Sequence, residues 1–379
     1  MASGRRKTRR FYIAVVIVIA AAMLVVILFM GRIRSWSVDR QIAQIEAARA
    51  IPDSENAAVM YRQFFKDFEG PDPLLNGMLI DQVHMETVLK PWRSSDHPEQ
   101  AALIKENSEA LSKLIEITKT EKCCWPIRNE PAHLPRRGEM PSGWFFFLNR
   151  AMSNDIGDGR IDAAIEKYAC TVRLAGHWYQ QPSGSYYFRG ARTELFPTGN
   201  IIRLIVGSDI SDAQLERLSE ATLPAEDTFA SKREEIRRID ALSEAKGLQQ
   251  LSFLERIKYW FKTHQAEDIA ERNERSYYRM LAVRRGLYIL VALRRFRNQQ
   301  GHWPENLDVI APLLPTEILN DTEKCGSFIY KTVGDDFVLY GTGSNGTDEG
   351  GVLIPPDDVP IWPTGRMLHE IERKKENAK

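Results

Sequence analysis

The feature that most constrains this chain is an uncharged run of twenty residues near its N-terminus. The run extends from Phe11 to Met30 and reads FYIAVVIVIAAAMLVVILFM. As an α-helix, which rises about 1.5 Å per residue, it would cover the hydrocarbon core of a bilayer, about 30 Å thick. The sequence therefore predicts a transmembrane helix at residues 11–30, so a membrane is the first partner that we expect.

The flanking residues predict the orientation of this span and distinguish it from a cleaved leader. The apolar part of a signal peptide usually runs about 7–15 residues and ends in small residues, whereas GRIRSW follows Met30. Basic residues precede the span at Arg5, Arg6, Lys7, Arg9 and Arg10. Because positive flanks stay inside, we expect residues 1–10 in the cytoplasm and a single-pass anchor in the inner (cytoplasmic) membrane. The bulk of the chain, from about residue 31, is then extracytoplasmic or periplasmic.

The charge balance outside the predicted span argues against nucleic acid as a partner. The chain has 51 basic and 51 acidic residues, and five of the bases precede the span, which leaves 46 bases against 51 acids beyond it. Nucleic-acid binding needs a dense positive face that neutralises phosphates. We therefore expect a protein partner in the cell envelope rather than a nucleic acid.

Four cysteines, Cys123, Cys124, Cys170 and Cys325, lie in the part of the chain predicted to be in an oxidising compartment. A bond between the adjacent Cys123 and Cys124 would be strained. Two full pairings remain open: Cys123 with Cys170 and Cys124 with Cys325, or the reverse. One disulfide with two buried thiols is a third alternative.

Residues 31–265 predict an irregular α-helical body, so the fold class is mainly α. An amphipathic helix is predicted from Glu99 to about Lys119. The segment GDGRIDAAIEKYACTVRLAGHWY predicts a helical hairpin that turns at Asp158 and Gly159. Aromatic runs at 144–147 and 186–188 suit either a core or a groove. A last long helix, from about Ala266 to Gln299, contains GLYILVAL and should be buried all round.

The composition changes after Gly301 and predicts a small α+β module with an antiparallel sheet, over residues 266–363. Residues 304–363 hold 11 acids and only two bases. A short helix should begin after Pro304. The runs GSFIYKTV and FVLYGTG, joined by Gly334, Asp335 and Asp336, predict a β-hairpin. A charged tail, residues 364–379, follows the module.

The module contains a glycine-rich loop whose glycines at 341, 343 and 346 have the spacing G-x-G-x-x-G. A dinucleotide site needs a helix N-terminus after these glycines, but the prolines and acids of TDEGGVLIPPDD follow, so no nucleotide is expected. Ca²⁺, by contrast, takes about 6–8 oxygen ligands on a bendable backbone. The oxygen-bearing side chains are Ser344, Asn345, Asp348, Glu349, Asp357 and Asp358. A solvated acidic turn is the alternative interpretation.

About 85 residues of this region, from LAVRRGLYILVALRRFRNQQGHWPENLDVI through DDFVLYGTGSNGTDEGG to DDVPIW, resemble the C-terminal core of type II secretion major pseudopilins. That family has a helix that ends in a pattern similar to A-L-x-x-Y-x-x-x-x-G-x-Y-P, a small antiparallel sheet and an S-x-G-x-D-G-x-x-G-G loop. The matching positions include Ala292, Leu293, Gly301, Pro304, Gly343, Gly346, Gly350, Gly351 and Asp358. The resemblance implies a Ca²⁺ site with Asn345, Asp348 and Asp358 as ligands, although the family usually has Asp where Asn345 stands.

The position of the anchor departs from the pseudopilin pattern, because the hydrophobic helix lies about 250 residues from the module and carries no Glu. Assembly into a pseudopilus is therefore not expected. The layout as a whole is similar to uncharacterised membrane-anchored proteins of planctomycetes, a resemblance that implies no activity.

Two functional hypotheses follow. The first is an extracytoplasmic scaffold or protein-interaction protein. The alternative is an envelope-polymer hydrolase, which would need two carboxyl groups about 5–10 Å apart in a cleft of the helical body, one with a raised pKa. The sequence contains no G-x-S-x-G, H-E-x-x-H or P-loop motif, so no catalytic residue is assigned.

Overall fold

The computed structural model describes most of the chain between Trp36 and Thr364. The described residues are 36–68, 82–127, 142–224, 226–251, 255, 264–319, 327–343, 345–351 and 358–364. The predicted membrane span at residues 11–30 and all but the first residue of the predicted tail lie outside them. Among the residues that are described, no helix is both long enough and apolar enough to cross a bilayer.

The described part of the chain is mainly helical and carries a three-stranded antiparallel sheet near its C-terminal end, which confirms the predicted fold class for these residues. The helices are α1 (36–48), α2 (Ala57–Asp67), α3 (Gln82–Leu89), α4 (Pro98–Glu106), α5 (Ser108–Thr118), α6 (Ser142–Gly157), α7 (Ile161–Tyr179), α8 (Gly184–Gly207), α9 (Asp212–Ala221), α10 (Thr228–Gln250), α11 (His264–Gln300) and α12 (Thr316–Leu319). The strands are β1 (Phe328–Val333), β2 (Asp336–Gly341) and β3 (Val359–Trp362).

The chain divides into two compact units. The larger comprises Ile51–Trp125, Pro135–Arg237 and His264–Lys379, and the smaller comprises Met1–Ala50, Pro126–Leu134 and Arg238–Thr263. The described residues between 264 and 364 therefore belong to the same unit as most of the predicted helical body. The smaller unit has its own apolar cluster, which contains Val38, Ile42, Ile127 and Ile239.

The predicted helical hairpin is present as α6 and α7, and buried charges fix its turn. Asp155 is 7% exposed in its side chain and accepts hydrogen bonds of 2.8 Å from Arg160 and 2.5 Å from Lys167. Asp158 accepts from the backbone amide and the hydroxyl of Ser94, at 2.9 and 2.6 Å. The two hydrogen bonds from Ser94 contribute most to lowering the pKa of Asp158, to about 2. Both carboxylates thus stabilise the turn.

Two predicted helices are interrupted. The single helix expected from Glu99 to about Lys119 is divided into α4 and α5 at Asn107, whose side-chain amide donates to the Leu103 carbonyl at 2.9 Å. The helix expected after Pro304 is a pair of 3₁₀ turns, Leu307–Val309 and Ala311–Leu313. Asn107 explains the first difference, because an asparagine side chain competes for backbone hydrogen bonds. Proline explains the second, because it has no backbone N–H to donate.

Helix α11 forms the centre of the larger unit. The segment GLYILVAL is buried as predicted, apart from the half-buried Tyr288, and it belongs to one apolar cluster with residues of α7, α8 and the sheet. Gly286 permits the close approach to β3, since a Cβ there would lie 2.6 Å from Cδ1 of Ile361. The sheet is therefore packed directly on the helix that also holds the body together.

The sheet has the order β1-β2-β3. The predicted hairpin is confirmed, with Tyr330 opposite Leu339 and the turn at residues 334 and 335. Strand β3 pairs antiparallel with β2, and Trp362 donates from its indole to Oδ1 of Asp336 at 2.9 Å. Residue alternation gives little signal for β3, which has only four residues, one of them Pro360.

A buried ion pair joins α8 to α11. Arg284 donates to both carboxylate oxygens of Glu194, at 2.8 and 2.7 Å, and the two side chains are 3% and 1% exposed. Tyr179 donates to the same carboxylate at 3.2 Å, and Arg284 also donates to the Pro224 carbonyl at 2.8 Å. Burial alone would lower the pKa of Arg284, but the Glu194 carboxylate raises it above its ordinary value.

A second buried polar group, His177, connects α7 to α2 and to Thr120, which follows α5. Its Nδ1 lies 2.9 Å from the Tyr61 hydroxyl, and its Nε2 lies 2.7 Å from the Thr120 carbonyl. A carbonyl only accepts, so Nε2 carries the proton and Nδ1 accepts from tyrosine. Burial lowers the pKa of His177 to about 4, so the ring is neutral at pH 7.

The backbone of residues 121–125 is held by side-chain amides. Asn56, at the N-cap of α2, both accepts from the Cys124 amide and donates to its carbonyl, at 2.9 and 3.1 Å. Gln180 and Gln181, which follow α7, bond to this segment in the same way. Their bonds run from Gln180 to Glu121 and Cys123, and from Gln181 to Cys123 and Trp125.

Cys123, Cys124 and Cys170 are thiols in this structure, and Cys123 and Cys170 are buried. Burial raises the pKa of Cys170 to about 11, which makes its thiol a poor nucleophile at neutral pH. Cys325 lies outside the described residues, so the pairings that include it stay predictions.

Glu194→Gln tests the buried ion pair. The substitution leaves the guanidinium of Arg284 charged and buried without its counter-charge, so we expect the free energy of unfolding to fall by about 3–5 kcal/mol. Urea denaturation of the purified chain measures the loss. Glu216→Gln is the control, because Glu216 pairs with Arg295 while 57% exposed, and such a pair contributes about 1 kcal/mol or less. Equal losses in the two variants would contradict the prediction.

The buried His177 predicts acid sensitivity. Its folded pKa of about 4 lies below the unfolded value of 6.5, so the unfolded chain binds more protons between these values. The contribution is present above pH 6.5 and is lost as the pH falls towards 4. We expect the free energy of unfolding to fall by about 2 kcal/mol between pH 7 and pH 5 from this group. Urea denaturation at both pH values should show a smaller fall for His177→Gln, whereas His97→Gln should behave like the unchanged chain.

Candidate metal centre

The glycine-rich loop connects β2 to β3 and is closed at its base by pairing between these strands. Gly341 pairs with Val359, and the register shifts between Leu339 and Tyr340. Asp358 directly precedes β3 and is therefore placed at the closed end of the loop. Of the predicted oxygen-bearing residues, Ser344 and Asp357 lie outside the described part of the chain.

Two consecutive glycines direct the loop back towards Asp358. Gly350 and Gly351 have φ values of 81° and 75°, in the region that disfavours residues with a Cβ. A Cβ at Gly351 would also lie 3.0 Å from Cδ1 of Tyr340. The amide of Gly351 can therefore approach Oδ2 of Asp358 and donate to it at 2.7 Å.

Asp358 and Glu349 carry the strongest indication of a cation site. Asp358 is 2% exposed, and its Oδ1 is buried without a hydrogen-bond partner among the described residues. Oε2 of Glu349 is also buried without a hydrogen-bond donor among the described residues. Burial raises the pKa of Asp358 and the Gly351 amide opposes this, while the side chain of Glu349, which is within hydrogen-bonding reach, and the charges of Glu349 and Asp348 raise the pKa further. Neighbouring carboxylates with unsatisfied oxygens are unfavourable unless a proton or a cation lies between them.

Asp348 is oriented by different partners. Its Oδ1 accepts from the Tyr340 hydroxyl at 2.7 Å and from the Gly350 amide at 2.9 Å. Lys331 lies 3.7 Å from Oδ2. These contacts, led by the Tyr340 hydroxyl, lower the pKa of Asp348, so its carboxylate is ionised at neutral pH.

Asn345 positions Glu349 and begins a turn. Its Nδ2 donates to Oε1 of Glu349 at 2.7 Å, and its Oδ1 accepts from the Thr347 amide at 2.7 Å. Among the three predicted ligands, then, Asp358 presents an unsatisfied oxygen, Asp348 has an oxygen bonded to Tyr340, and Asn345 contacts the carboxylate of Glu349.

The charge and chemistry of these groups fit Ca²⁺, since a hard cation would satisfy both orphan oxygens and offset the repulsion between Glu349 and Asp358. Those two side chains would hold it, with Asp348 adding negative charge. Within the described ranges, no cluster of three or more His, Cys, Asp or Glu side chains is arranged for metal binding. Backbone carbonyls, which Ca²⁺ also takes, would have to supply further ligands.

Sequence reasoning included Glu349 in the oxygen-rich loop but did not select it as a ligand, and it missed Tyr340 altogether. In the sequence, Tyr340 looks like any inward-facing residue of a strand. Its hydroxyl contact with Asp348 was therefore not predictable. The spacing of Glu349 and Asp358 carried no signal either, because the two residues are nine positions apart and their proximity depends on the tertiary structure.

The aromatic run at 144–147 is divided between core and surface. Trp144 and Phe147 are buried, whereas Phe145 and Phe146 are half-buried and pack against Phe196, with ring centroids 5.8 and 5.0 Å away. In the run at 186–188, the two tyrosines are buried and Phe188 contacts the guanidinium of Arg192. The core interpretation holds for Trp144, Phe147 and both tyrosines.

Comparison of the chain with protein-family models, with curated proteins and with solved structures gives no match. The pseudopilin resemblance of the C-terminal module therefore stays a prediction from its motifs.

Asp358→Asn tests the candidate centre. With Ca²⁺ at about 100 times its Kd, binding to the folded chain alone would stabilise it by about 2.7 kcal/mol, which raises the Tm. We expect Asp358→Asn to remove this Ca²⁺-dependent rise and Asp335→Asn, an exposed residue in the β1–β2 turn, to retain it. Thermal unfolding of the full chain in Ca²⁺ and in EDTA measures both. A wild-type Tm that is the same in the two conditions would refute the site.

Proposed function

We propose that this chain is a single-pass, membrane-anchored extracytoplasmic scaffold, which presents a helical body and a Ca²⁺-stabilised C-terminal module to a protein partner in the cell envelope. The anchor is the predicted span at residues 11–30. The observation that carries the scaffold proposal is that α11 packs against both the helical body and the sheet. An element that packs on two other regions at once keeps both in a fixed arrangement.

The contacts of α11 support this role. Arg284 binds Glu194 of α8 on one side of the helix, while Gly286, only two residues later, lies against Ile361 of β3. The apolar cluster that surrounds them is shared by helices and strands. Because breaking this cluster would unfold both regions, a partner that docks on the module is held rigidly relative to the body.

Exposed apolar side chains of the module are candidate contacts for such a partner. Val309, Leu313 and Val333 are 46%, 57% and 59% exposed, which is unusual for residues of this size. Val333 is at the end of β1, next to the turn, and the other two are in the 3₁₀ turns after Pro304. Large exposed hydrophobic groups often mark protein contacts when they cluster.

The Ca²⁺ part of the proposal rests on the orphan oxygens of Glu349 and Asp358. A bound cation would fix the loop that leads into β3 and would thereby stabilise the edge of the module. Its role would be structural, as the resemblance to pseudopilins also implies. The cavity next to β3 does not support the hydrolase alternative, because no acidic residue is among those that line it.

Photocrosslinking in intact cells tests the scaffold proposal. A photoreactive amino acid at position 313 or 333 should capture the same envelope protein in independent experiments. The same residue placed at 109, an exposed position on α5, is the control and should not capture that protein. Capture that does not differ between the three positions would contradict the proposal, and so would release of soluble fragments from envelope polymer by the purified chain.

A further inference from the structure

A cavity of about 380 Å³ lies within the larger unit, apart from the glycine-rich loop. Its walls come from the middle of α8, from α11 and from β3, with one residue of α3. Most of the side chains in the wall are apolar, including Leu89, Leu195, Phe196, Ile202 and Val283. The volume is in the range of small-molecule sites, about 300–1,000 Å³, and the apolar lining is typical of them.

Gly199 forms part of this wall and has no packing reason to be glycine. A Cβ at Gly199 would meet no heavy atom within 4 Å, whereas a Cβ at Gly190, in the same helix, would lie 2.7 Å from the Tyr179 ring. Glycine inside a helix costs about 1 kcal/mol relative to alanine. Gly190 is therefore explained by close packing, but Gly199 only keeps space open inside the cavity.

The charged side chains in the wall are both basic, Arg203 and Arg279, and none of the lining residues is acidic. Arg279 is exposed, yet burial lowers the pKa of its guanidinium, and no carboxylate contributes to that shift. This combination is typical of a charge in a concave site, which solvent reaches although protein surrounds it. The guanidinium of Arg279 is thus accessible from solvent and has no acidic residue beside it in the wall, so a ligand carboxylate would form a charge-assisted hydrogen bond with it.

Phe196 connects the cavity to a partly exposed aromatic surface. It lines the cavity and also contacts Phe145 and Phe146, which are half-buried. Leu195, beside it, is 41% exposed. The apolar character of the wall therefore continues to the protein surface, where a ligand with an apolar body would enter.

We propose that this cavity binds a small organic carboxylate with an apolar aliphatic or aromatic body. The carboxylate would pair with Arg279, for which the described residues supply no acidic partner, and the body would pack against Leu195, Phe196 and Val283. The size of the cavity favours a free small molecule over a folded partner. This inference stands on residues that the proposed Ca²⁺ site does not use.

Calorimetric titration of the full chain with 4-phenylbutanoate and with its neutral analogue 4-phenylbutanamide tests the proposal without any variant. A charge-assisted hydrogen bond is worth about 1.5–3 kcal/mol, so the carboxylate should bind at least about tenfold more tightly than the amide. The titration is run in EDTA and in Ca²⁺, and the preference should be the same in both. Equal affinities for the two compounds, or no binding of either, would overturn the proposal.

Matched variants locate the site. Arg279→Gln should abolish the preference for the carboxylate, while Arg275→Gln, one turn earlier in α11 and exposed beside Glu271, should retain it. Gly199→Leu should fill the cavity and weaken binding at least about tenfold. Gly207→Leu is its control, because a Cβ at the exposed Gly207 also meets no heavy atom and this residue does not line the cavity. Unchanged binding by Gly199→Leu would refute the site.

Discussion

The pair formed by Glu194 and Arg284 is the interaction on which the larger unit depends. Removing two charges from water is costly, and only a bidentate geometry with further hydrogen bonds compensates for it. Tyr179 and the Pro224 carbonyl supply those bonds. We expect the pair to favour the observed register of α8 against α11, because a shift of either helix would separate the two side chains. The position of the sheet, the closed end of the glycine-rich loop and the shape of the cavity all follow from where α11 lies.

The proposed metal centre and the proposed ligand of the cavity carry opposite charges. In the loop, Oδ1 of Asp358 and Oε2 of Glu349 are buried, and we expect a cation to bind them. Beside β3, two arginines and no acidic residue line the cavity, and we expect an anion there. Both sites adjoin β3, because Asp358 directly precedes this strand and Val359 lines the cavity. Short as it is, β3 therefore adjoins the glycine-rich loop and also forms part of the wall of the cavity.

Local patterns predicted those elements whose signal lies within a few residues. The hairpin of α6 and α7, the burial of GLYILVAL and the pairing of β1 with β2 are examples. The break at Asn107 was missed, because an asparagine within an amphipathic pattern differs little from a surface residue. The ion pair was not predictable, since Glu194 and Arg284 are 90 residues apart. The loop chemistry was predictable as oxygen-rich, but which oxygens stay unsatisfied depends on backbone curvature. The cavity could not be predicted from the sequence, because the space around Gly199 is known only from the structure.

The amides of Asn56, Gln180 and Gln181 bond to main-chain atoms of residues 121–125. These three side chains thus bond to the main chain of the segment as a neighbouring β-strand would, although the segment is not part of the three-stranded sheet. Such recognition is blind to the identity of the bound side chains, so substitutions at positions 123 and 124 would leave these amide contacts in place, provided that the volume of the buried residue at 123 is kept. This contact therefore requires specific residues at Asn56, Gln180 and Gln181, and not at residues 121–125.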